Sequence, residues 1–370
     1  MTILGIETSC DETAVSVLDI KGPSDIAIRA NIVSSQVKLH AEFGGVVPNL
    51  AAREHVKNIG HVFETTLKTA GIMDFSKEVD LIAVTHGPGL GPALLVGIAF
   101  AKTIAMTHGK PLVGVDHMRG HIYSNWLQPV TEISNSQFSI FNKPKRIFPA
   151  MNLIVSGGHT ELVLMRDYEK FELIGETMDD AVGEAFDKVA RLLGLGYPGG
   201  PVISARAEQF SISNFQFPIT FPRPMVNSKD SNFSFSGLKT AVLYKIRDLK
   251  KGGVEITDNV INEIAHAFQE AAVDVLIQKT IQAAREHSVS AIFLSGGVSA
   301  NTLLRDKLRT ATEKEGLFFS CPPLAYTGDN ATMIALASYF AYHPSYTKTS
   351  EGKEKIGDWK LVAMQPNLGF

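Results

Sequence analysis

The sequence predicts an α/β protein made of two duplicated lobes, on three observations. A strand–turn–strand pattern occurs twice, over residues 3–19 and again from residue 152. Short apolar runs alternate with longer stretches of helical apolar spacing, as expected for strands layered with helices. Glycine-rich turns fall where apolar runs hand over to helices, which is where layered α/β domains place their ligands.

Composition sets the outer limits. The chain has 370 residues, too many for one ordinary core and suited to two domains of roughly 150 to 200 residues each. With 45% hydrophobic and 20% charged residues it reads as a soluble globular protein. Its net charge of −3 supplies no global field for a polyanion, so a nucleic acid must be held by a local patch or with a partner's help. Cys10 and Cys321, far apart in sequence, argue against a disulfide framework and suit a reducing compartment. The N-terminus enters a strand with no basic or apolar leader. The most apolar later stretch, Pro92 to Ala101, is interrupted by Gly97 and falls short of the ~20 residues that span a bilayer. A cytoplasmic location is expected.

In chain order, Ile3-Leu4-Gly5-Ile6 and Ala14-Val15-Ser16-Val17-Leu18 predict a hairpin around the polar turn Glu7-Thr8-Ser9-Cys10-Asp11-Glu12-Thr13. A helix is expected from about Ala51 to Ala70, after a Gly-Gly and Pro turn at 44–48. The strand Leu81-Ile82-Ala83-Val84 leads through Thr85-His86-Gly87-Pro88-Gly89-Leu90-Gly91 into a helix opening at Pro92. After the strand Leu112-Val113-Gly114-Val115 comes His117-Met118-Arg119-Gly120-His121. Histidines four apart lie on one helix face and can bind a single metal ion, although two surface histidines share that spacing. Met118 stands where a zinc peptidase needs its general-base Glu, which disfavours hydrolysis. Residues 127–150 read as a polar link carrying Lys143-Pro144-Lys145-Arg146, either a nucleic-acid contact or a solvated loop.

The second hairpin runs Leu153-Ile154-Val155, then Ser156-Gly157-Gly158-His159-Thr160, then Glu161-Leu162-Val163-Leu164-Met165. Two such turns, offering backbone N–H groups, can grip a phosphate chain, the layout of a two-lobed ATPase. Helical spacing over Asp179 to Leu195 puts Glu184, Asp187 and Lys188 on a polar face, where a carboxylate can accept hydrogen bonds from a ribose or form plain ion pairs. Lys239, after the run Asn232-Phe233-Ser234-Phe235-Ser236-Gly237, can meet a phosphate or stand exposed. Val260 to His287 reads as a long amphipathic helix and Ala291-Ile292-Phe293-Leu294 as a buried strand. Ser295-Gly296-Gly297-Val298-Ser299-Ala300-Asn301 is a third glycine loop, on which an adenosine can rest. Asp329 precedes the last apolar helix, either as an N-cap or as an oxygen ligand reaching the His pair from the other lobe. The lobes are expected at 1–150 and 151–345, with a weakly patterned tail at 346–370.

Taken together, Gly5-Ile6-Glu7-Thr8-Ser9-Cys10-Asp11-Glu12-Thr13, the pair His117 and His121, Val155-Ser156-Gly157-Gly158-His159-Thr160, Phe233 to Lys239, Ser295 to Asn301, and Asp329-Asn330 resemble the TsaD family of tRNA N6-adenosine threonylcarbamoyltransferases. The resemblance runs from residue 3 to about 340 and favours the bacterial and organellar branch. It implies the actin-like ATPase (ASKHA) fold, two duplicated lobes around a nucleotide cleft. It implies transfer of a threonylcarbamoyl group from threonylcarbamoyl-AMP to N6 of adenosine 37 in tRNAs reading ANN codons. His117, His121 and Asp329 resemble the family's ligands to one divalent metal, Fe(2+) or Zn(2+). Ile154, Val155, Ser156, Gly157 and Gly158 resemble its phosphate-side substrate loop, and Asp187, Gly200 and Asn301 its remaining substrate contacts. Glu7, Thr8, Ser9 and Lys239 are further candidates for a phosphate or substrate loop, and no side-chain nucleophile is assigned. The partners implied are the tRNA anticodon loop and, as in bacterial relatives, a non-catalytic actin-fold paralogue and a small ATPase (TsaB- and TsaE-like).

Two departures stand out. Arg119 occupies the place where the family commonly has Glu between the histidines, and Tyr326-Thr327-Gly328 precedes Asp329 where bacterial relatives often carry Cys-Thr. On a helix Arg119 lies about 200° from His117, pointing away from the pair. Among rival classes, a metallopeptidase would need a water-activating acid at the metal, and a sugar or acetate kinase of the same superfold would not need the His pair.

Overall fold

The structure is a computed structural model that describes residues 1–127, 147–210, 219–343 and 357–370. The basic cluster at 143–146 lies outside the described residues. The chain forms two compact units. One comprises Met1–Lys143, Arg166–Lys170 and Pro322–Phe370, the other Pro144–Met165 and Phe171–Cys321.

In the first unit β1 (Thr2–Glu7) and β2 (Glu12–Gly22) make the expected antiparallel hairpin, with Ile6 opposite Val15. β3 (Asp25–Ser35) adds antiparallel to β2. Then follow α1 (Val37–Ala41), α2 (Pro48–Ala70) and α3 (Phe75–Glu78). β4 (Leu81–Gly87), α4 (Gly91–His108) and β5 (Leu112–Asp116) form a parallel crossover beside β1, giving the order β3-β2-β1-β4-β5. Strands 1 and 4 are buried almost throughout rather than alternating, because both faces of the sheet are covered. Ile59 and Val62 of α2 and Leu94 and Ile98 of α4 pack with Leu4, Ile6, Val15 and Val84 in one core. The short helix α5 (His117–Tyr123) starts directly at the end of β5.

The second unit repeats the plan. β6 (Ala150–Val155) and β7 (Thr160–Met165) are the second hairpin, and β8 (Phe171–Glu176) adds antiparallel to it. After α6 (Val182–Leu192), α7 (Gly199–Glu208), α8 (Ser236–Lys251) and α9 (Asp258–Glu286), β9 (Ala291–Ser295) pairs parallel with β6. α10 (Thr302–Lys314) then leads to β10 (Phe318–Ser320), parallel to β9. The order β10-β9-β6-β7-β8 has the same pattern of parallel and antiparallel neighbours as the first sheet. The duplication visible in two hairpins therefore extends to a whole five-stranded sheet.

One expectation is corrected. The described residues 322–343, assigned from sequence order to the second lobe, belong to the first unit, as does the described tail. The cause is α11 (Ala331–Tyr342), whose residues from Ala331 to Phe340 are all buried. It packs on β1 and β2, and it can lie so close because Gly5 has no side chain: a Cβ there would collide with the Ala331 carbonyl. A helix apolar on every side carries no mark of which core it will join. Among the described residues α4 is long and apolar enough to cross a membrane, but Leu94, Ile98, Ala101 and Ala105 bury it in the first core.

Candidate metal centre

The site begins where β5 stops. Asp116 caps α5, its carboxylate accepting the backbone N–H of Met118 at 2.8 Å and of Arg119 at 3.0 Å. With the first turn fixed, His117 and His121 project from one face, their ring centroids 4.7 Å apart and nearly perpendicular. Gly120 between them lets α5 approach α11, since a Cβ there would stand 2.9 Å from Ile334 Cδ1 and 3.2 Å from Met333 Cγ.

The third ligand comes from the turn before α11. Asn330, not Asp329, caps that helix, its Oδ1 accepting from Met333 N at 3.0 Å. Asp329 is thereby left to face the imidazoles, with Oδ1 3.4 Å from His117 Nε2 and 3.2 Å from His121 Nε2. All three ligand atoms lie within 4.8 Å of one another. The aspartate was expected from the opposite lobe; it belongs to the same unit as the histidines.

These donors suit a metal ion better than they suit one another. Both ring nitrogens of His121 are buried without a hydrogen bond, although Nε2 stands 3.2 Å from Asp329 Oδ1. A proximity without hydrogen-bond alignment leaves the His121 nitrogens unused, with a second imidazole and a carboxylate beside them. Two imidazoles and one carboxylate are a set that zinc and non-haem iron both accept, with positions left open.

Behind the ligands stands a second layer. Glu7, fully buried at the end of β1, accepts at Oε2 from His117 Nδ1 at 3.0 Å and from the Thr85 hydroxyl at 2.6 Å. Its Oε1 accepts the N–H of Ser9, and Ser9 Oγ lies 3.2 Å from His117 Nδ1. A carboxylate on one ring nitrogen fixes the tautomer and turns the other nitrogen toward the metal. Without an ion, burial works against ionisation of Asp329, but the His117 charge outweighs it and holds that carboxyl far below its usual range. Burial likewise lowers the His117 pKa, and the negative charges of Asp329 and Glu7 raise it well above the ordinary value. The opposite charges favour one another here, and a dication held by His117, His121 and Asp329 would take over the part that the proton on His117 plays without it.

Several supporting residues escaped the sequence reading, because nothing in their spacing announces them. His55, buried on α2, ties Thr13 Oγ1 at 2.8 Å and the Cys10 carbonyl at 3.0 Å, bracing the turn between β1 and β2. In that turn burial and the charges of Asp329 and Asp11 push the Glu12 carboxyl well above its usual range. Arg119 bears electrostatically on Asp116, His86 and Tyr123.

The other expected positions lie elsewhere. In the second unit Gly157, Asp187, Gly200 and Asn301 line one cavity of about 400 Å³, together with Tyr197 and Ser204. Asp187 accepts the Gly199 N–H at 2.6 Å, and burial raises its pKa. Asn301 caps α10 and spends its amide on Ser204 Oγ at 2.9 Å and Gln269 Oε1 at 2.8 Å, so it shapes the wall. Ile154 and Val155 are fully buried in β6, paired with β7, and expose no surface to a substrate. Ser156 turns its hydroxyl inward, accepting from Gly158 N at 3.3 Å and His159 N at 3.0 Å. Lys239 does not line the cavity but pairs with Asp180 at 3.1 Å. Glu7, Thr8 and Ser9 are buried, not an open phosphate loop: Thr8 donates to the Ala93 carbonyl at 3.0 Å, and Glu7 and Ser9 serve His117.

With the geometry described, comparison with known proteins identifies the family. The family model for TsaD, tRNA N6-adenosine threonylcarbamoyltransferase, matches residues 27–336. The chain belongs to the TsaD family. Relatives of that name include the Thermosipho africanus protein, 47% identical over 95% of this chain and 97% of its own length. The Persephonella marina protein is 45% identical over 98% and 97%, and the Bacillus subtilis protein 46% identical over 92% and 91%. In fold, the TsaD chain is similar to the solved structure of T. kodakarensis HypF, with a TM-score of 0.59 at 14% identity, covering 96% of this chain and 49% of that one. The His117, His121 and Asp329 cluster is thus the candidate metal centre of a TsaD-family protein with the actin-like fold.

Proposed function

We infer that the chain forms N6-threonylcarbamoyladenosine at position 37 of tRNAs reading ANN codons, taking the acyl group from threonylcarbamoyl-AMP. The observation that carries this reading is a two-histidine, one-carboxylate cluster with open positions in a chain of the TsaD family. In the reaction the exocyclic amine of adenine attacks the carbamoyl carbonyl carbon. A C–N bond forms, the C–O bond to the phosphate breaks, AMP departs and N6 loses a proton. No side-chain nucleophile is needed, since the mixed anhydride already has a good leaving group.

Bound at His117, His121 and Asp329, Fe(2+) or Zn(2+) supplies Lewis acidity or a template. The chain's own residues do the rest. Glu7 and Ser9 orient His117, Asp187 is suited to accept hydrogen bonds from a ribose, and the backbone of the Gly157-Gly158 turn is suited to oppose developing charge.

The target adenosine lies in an anticodon loop, where bases splayed from the stack can be reached. A net charge of −3 supports tRNA binding shared with other proteins. Bacterial-type helpers, the actin-fold paralogue among them, are the expected protein partners. A cytoplasmic location fits these partners.

The test is to incubate purified protein with threonylcarbamoyl-AMP and an unmodified ANN-decoding tRNA, with and without bacterial helper proteins, and to digest for nucleoside mass spectrometry. Threonylcarbamoyladenosine is expected from wild type and not from His117→Ala or Asp329→Ala. Wild-type protein that binds metal but makes none, even with helpers, would sink the reading.

A further inference from the structure

The last residues of the chain lie against the turn that supports the metal centre. Gly357 accepts the N–H of Leu112 at 3.0 Å, which brings the tail to the edge of β5, and Val362 is buried in the first unit's core with Trp359 packed beside it. Beyond that anchor the tail meets the end of β4 and the turn that follows it. Gln365 donates its N–H to the His86 carbonyl at 2.7 Å, and the Pro366 carbonyl accepts the N–H of Gly89 at 3.1 Å. The fit is close: a Cβ on Gly87 would collide with the Gln365 carbonyl.

The opposite side of this turn touches the second layer of the metal centre at two points. Thr85, one residue before His86, donates to Glu7 Oε2 at 2.6 Å, and that same oxygen holds His117 Nδ1 at 3.0 Å. Leu90, one residue after Gly89, donates its N–H to the Ser9 carbonyl at 2.8 Å, and Ser9 Oγ stands 3.2 Å from His117 Nδ1. The turn is therefore clasped between the tail on one side and Glu7 and Ser9 on the other. Thr85 is paired with Val115 of β5, but the ladder becomes irregular between Thr85 and Gly87, where β4 ends; the tail steadies that irregular end, and a ring orientation set by contacts at one nitrogen is sensitive to small shifts there.

We propose that the C-terminal segment Gly357–Pro366 is a positioning element of the metal centre: the backbone bonds of Gln365 and Pro366 hold the 85–90 turn against Glu7 and Ser9, and so fix the His117 ring for metal binding. This rests on the reading of His117, His121 and Asp329 as metal ligands. The Gln365 side chain is exposed and takes no part; the backbone does the work, which is why the tail looks unremarkable in sequence.

The experiment separates backbone from side chain. Gln365→Pro removes the N–H that His86 accepts, whereas Gln365→Ala keeps it. A stop after Gln365 removes the Pro366 carbonyl while leaving Val362 and Trp359 in place. Zinc affinity, measured by chelator competition on metal-stripped protein, is expected to fall about 10-fold to 100-fold in Gln365→Pro and in the truncation, as for other outer partners of a metal-bound histidine, and to stay at the wild-type value in Gln365→Ala. Hydrogen exchange on metal-free wild type is the second readout. The Gly89 amide is expected to be as protected as those of β4, and to exchange faster in the two impaired variants. Folded Gln365→Pro protein that binds zinc as tightly as wild type, or a Gly89 amide that exchanges like open loop in wild type, overturns the proposal. Wild type that binds no zinc overturns the metal reading instead, and the exchange result still decides whether the clasp exists.

Discussion

His117 gives its two ring nitrogens to different tasks. Nδ1 is held by Glu7 at 3.0 Å, and Nε2 faces Asp329 at 3.4 Å. Glu7→Gln keeps the shape but withdraws the negative charge, and an amide can present either end to the ring. Metal affinity is expected to drop about 10-fold to 100-fold, with the metal-free fold retained; unchanged zinc affinity by chelator competition would contradict the role given to Glu7. At this scale the sequence was partly legible. The four-residue spacing of the histidines announced the pair, and the turn motif announced that Glu7, Thr8 and Ser9 matter. It did not announce how. Polar side chains in a glycine-and-hydroxyl turn look like groups offered to a ligand, yet Glu7 points inward to a histidine 110 residues away. No local pattern encodes a partner at that distance.

At the scale of elements the decisive contact is that of α5 with α11. The two helices carry the histidines and follow the aspartate, so their separation sets the size of the metal site. Gly120 fixes it, with Ile334 and Met333 closing in where a Cβ would stand. Ala in place of Gly favours a helix by about 1 kcal/mol, while overpacking a tight contact costs about 1–3 kcal/mol. The second effect is expected to win, because both neighbours are themselves buried. Gly120→Ala should therefore lower the melting temperature slightly and weaken metal binding more than its stability loss suggests; a variant with raised stability and intact zinc affinity would show that the side chains simply step aside. The elements themselves were readable from period and punctuation. The expected helix at 51–70 is α2, begun three residues earlier at Pro48, and the pattern over 260–287 is α9. What period could not supply was address, since α11 is apolar on every side and its place in the first unit follows from the groove left by Gly5.

For the whole molecule, duplication and metal binding make separate demands. Both units contain the same five-stranded sheet, but the candidate metal ligands found among the described residues lie in the first alone. A ligand that binds only the folded state at 100 times its dissociation constant stabilises that state by about 2.7 kcal/mol. Calorimetry with and without a chelator should accordingly shift the unfolding transition that belongs to the first unit to lower temperature on metal removal. A chelator that leaves every transition unmoved would speak against a resident metal. The repeat was legible because hairpins repeat their alternation and turn residues. The tail was not, because its hold is made by backbone groups and by the emptiness of Gly87, neither of which leaves a pattern in side chains.

The centre draws on both ends of the chain: Glu7 near the start, the histidines a third of the way along, Asp329 and the Gln365–Pro366 pair near the finish. During synthesis the first hairpin and the His pair emerge long before the aspartate exists. A nascent chain can thus expose two histidines, but the third donor joins them only once residue 329 has been made and α11 has docked. The three-donor cluster is expected to form late in synthesis, and a chain interrupted before residue 329 would present the histidine pair without its carboxylate.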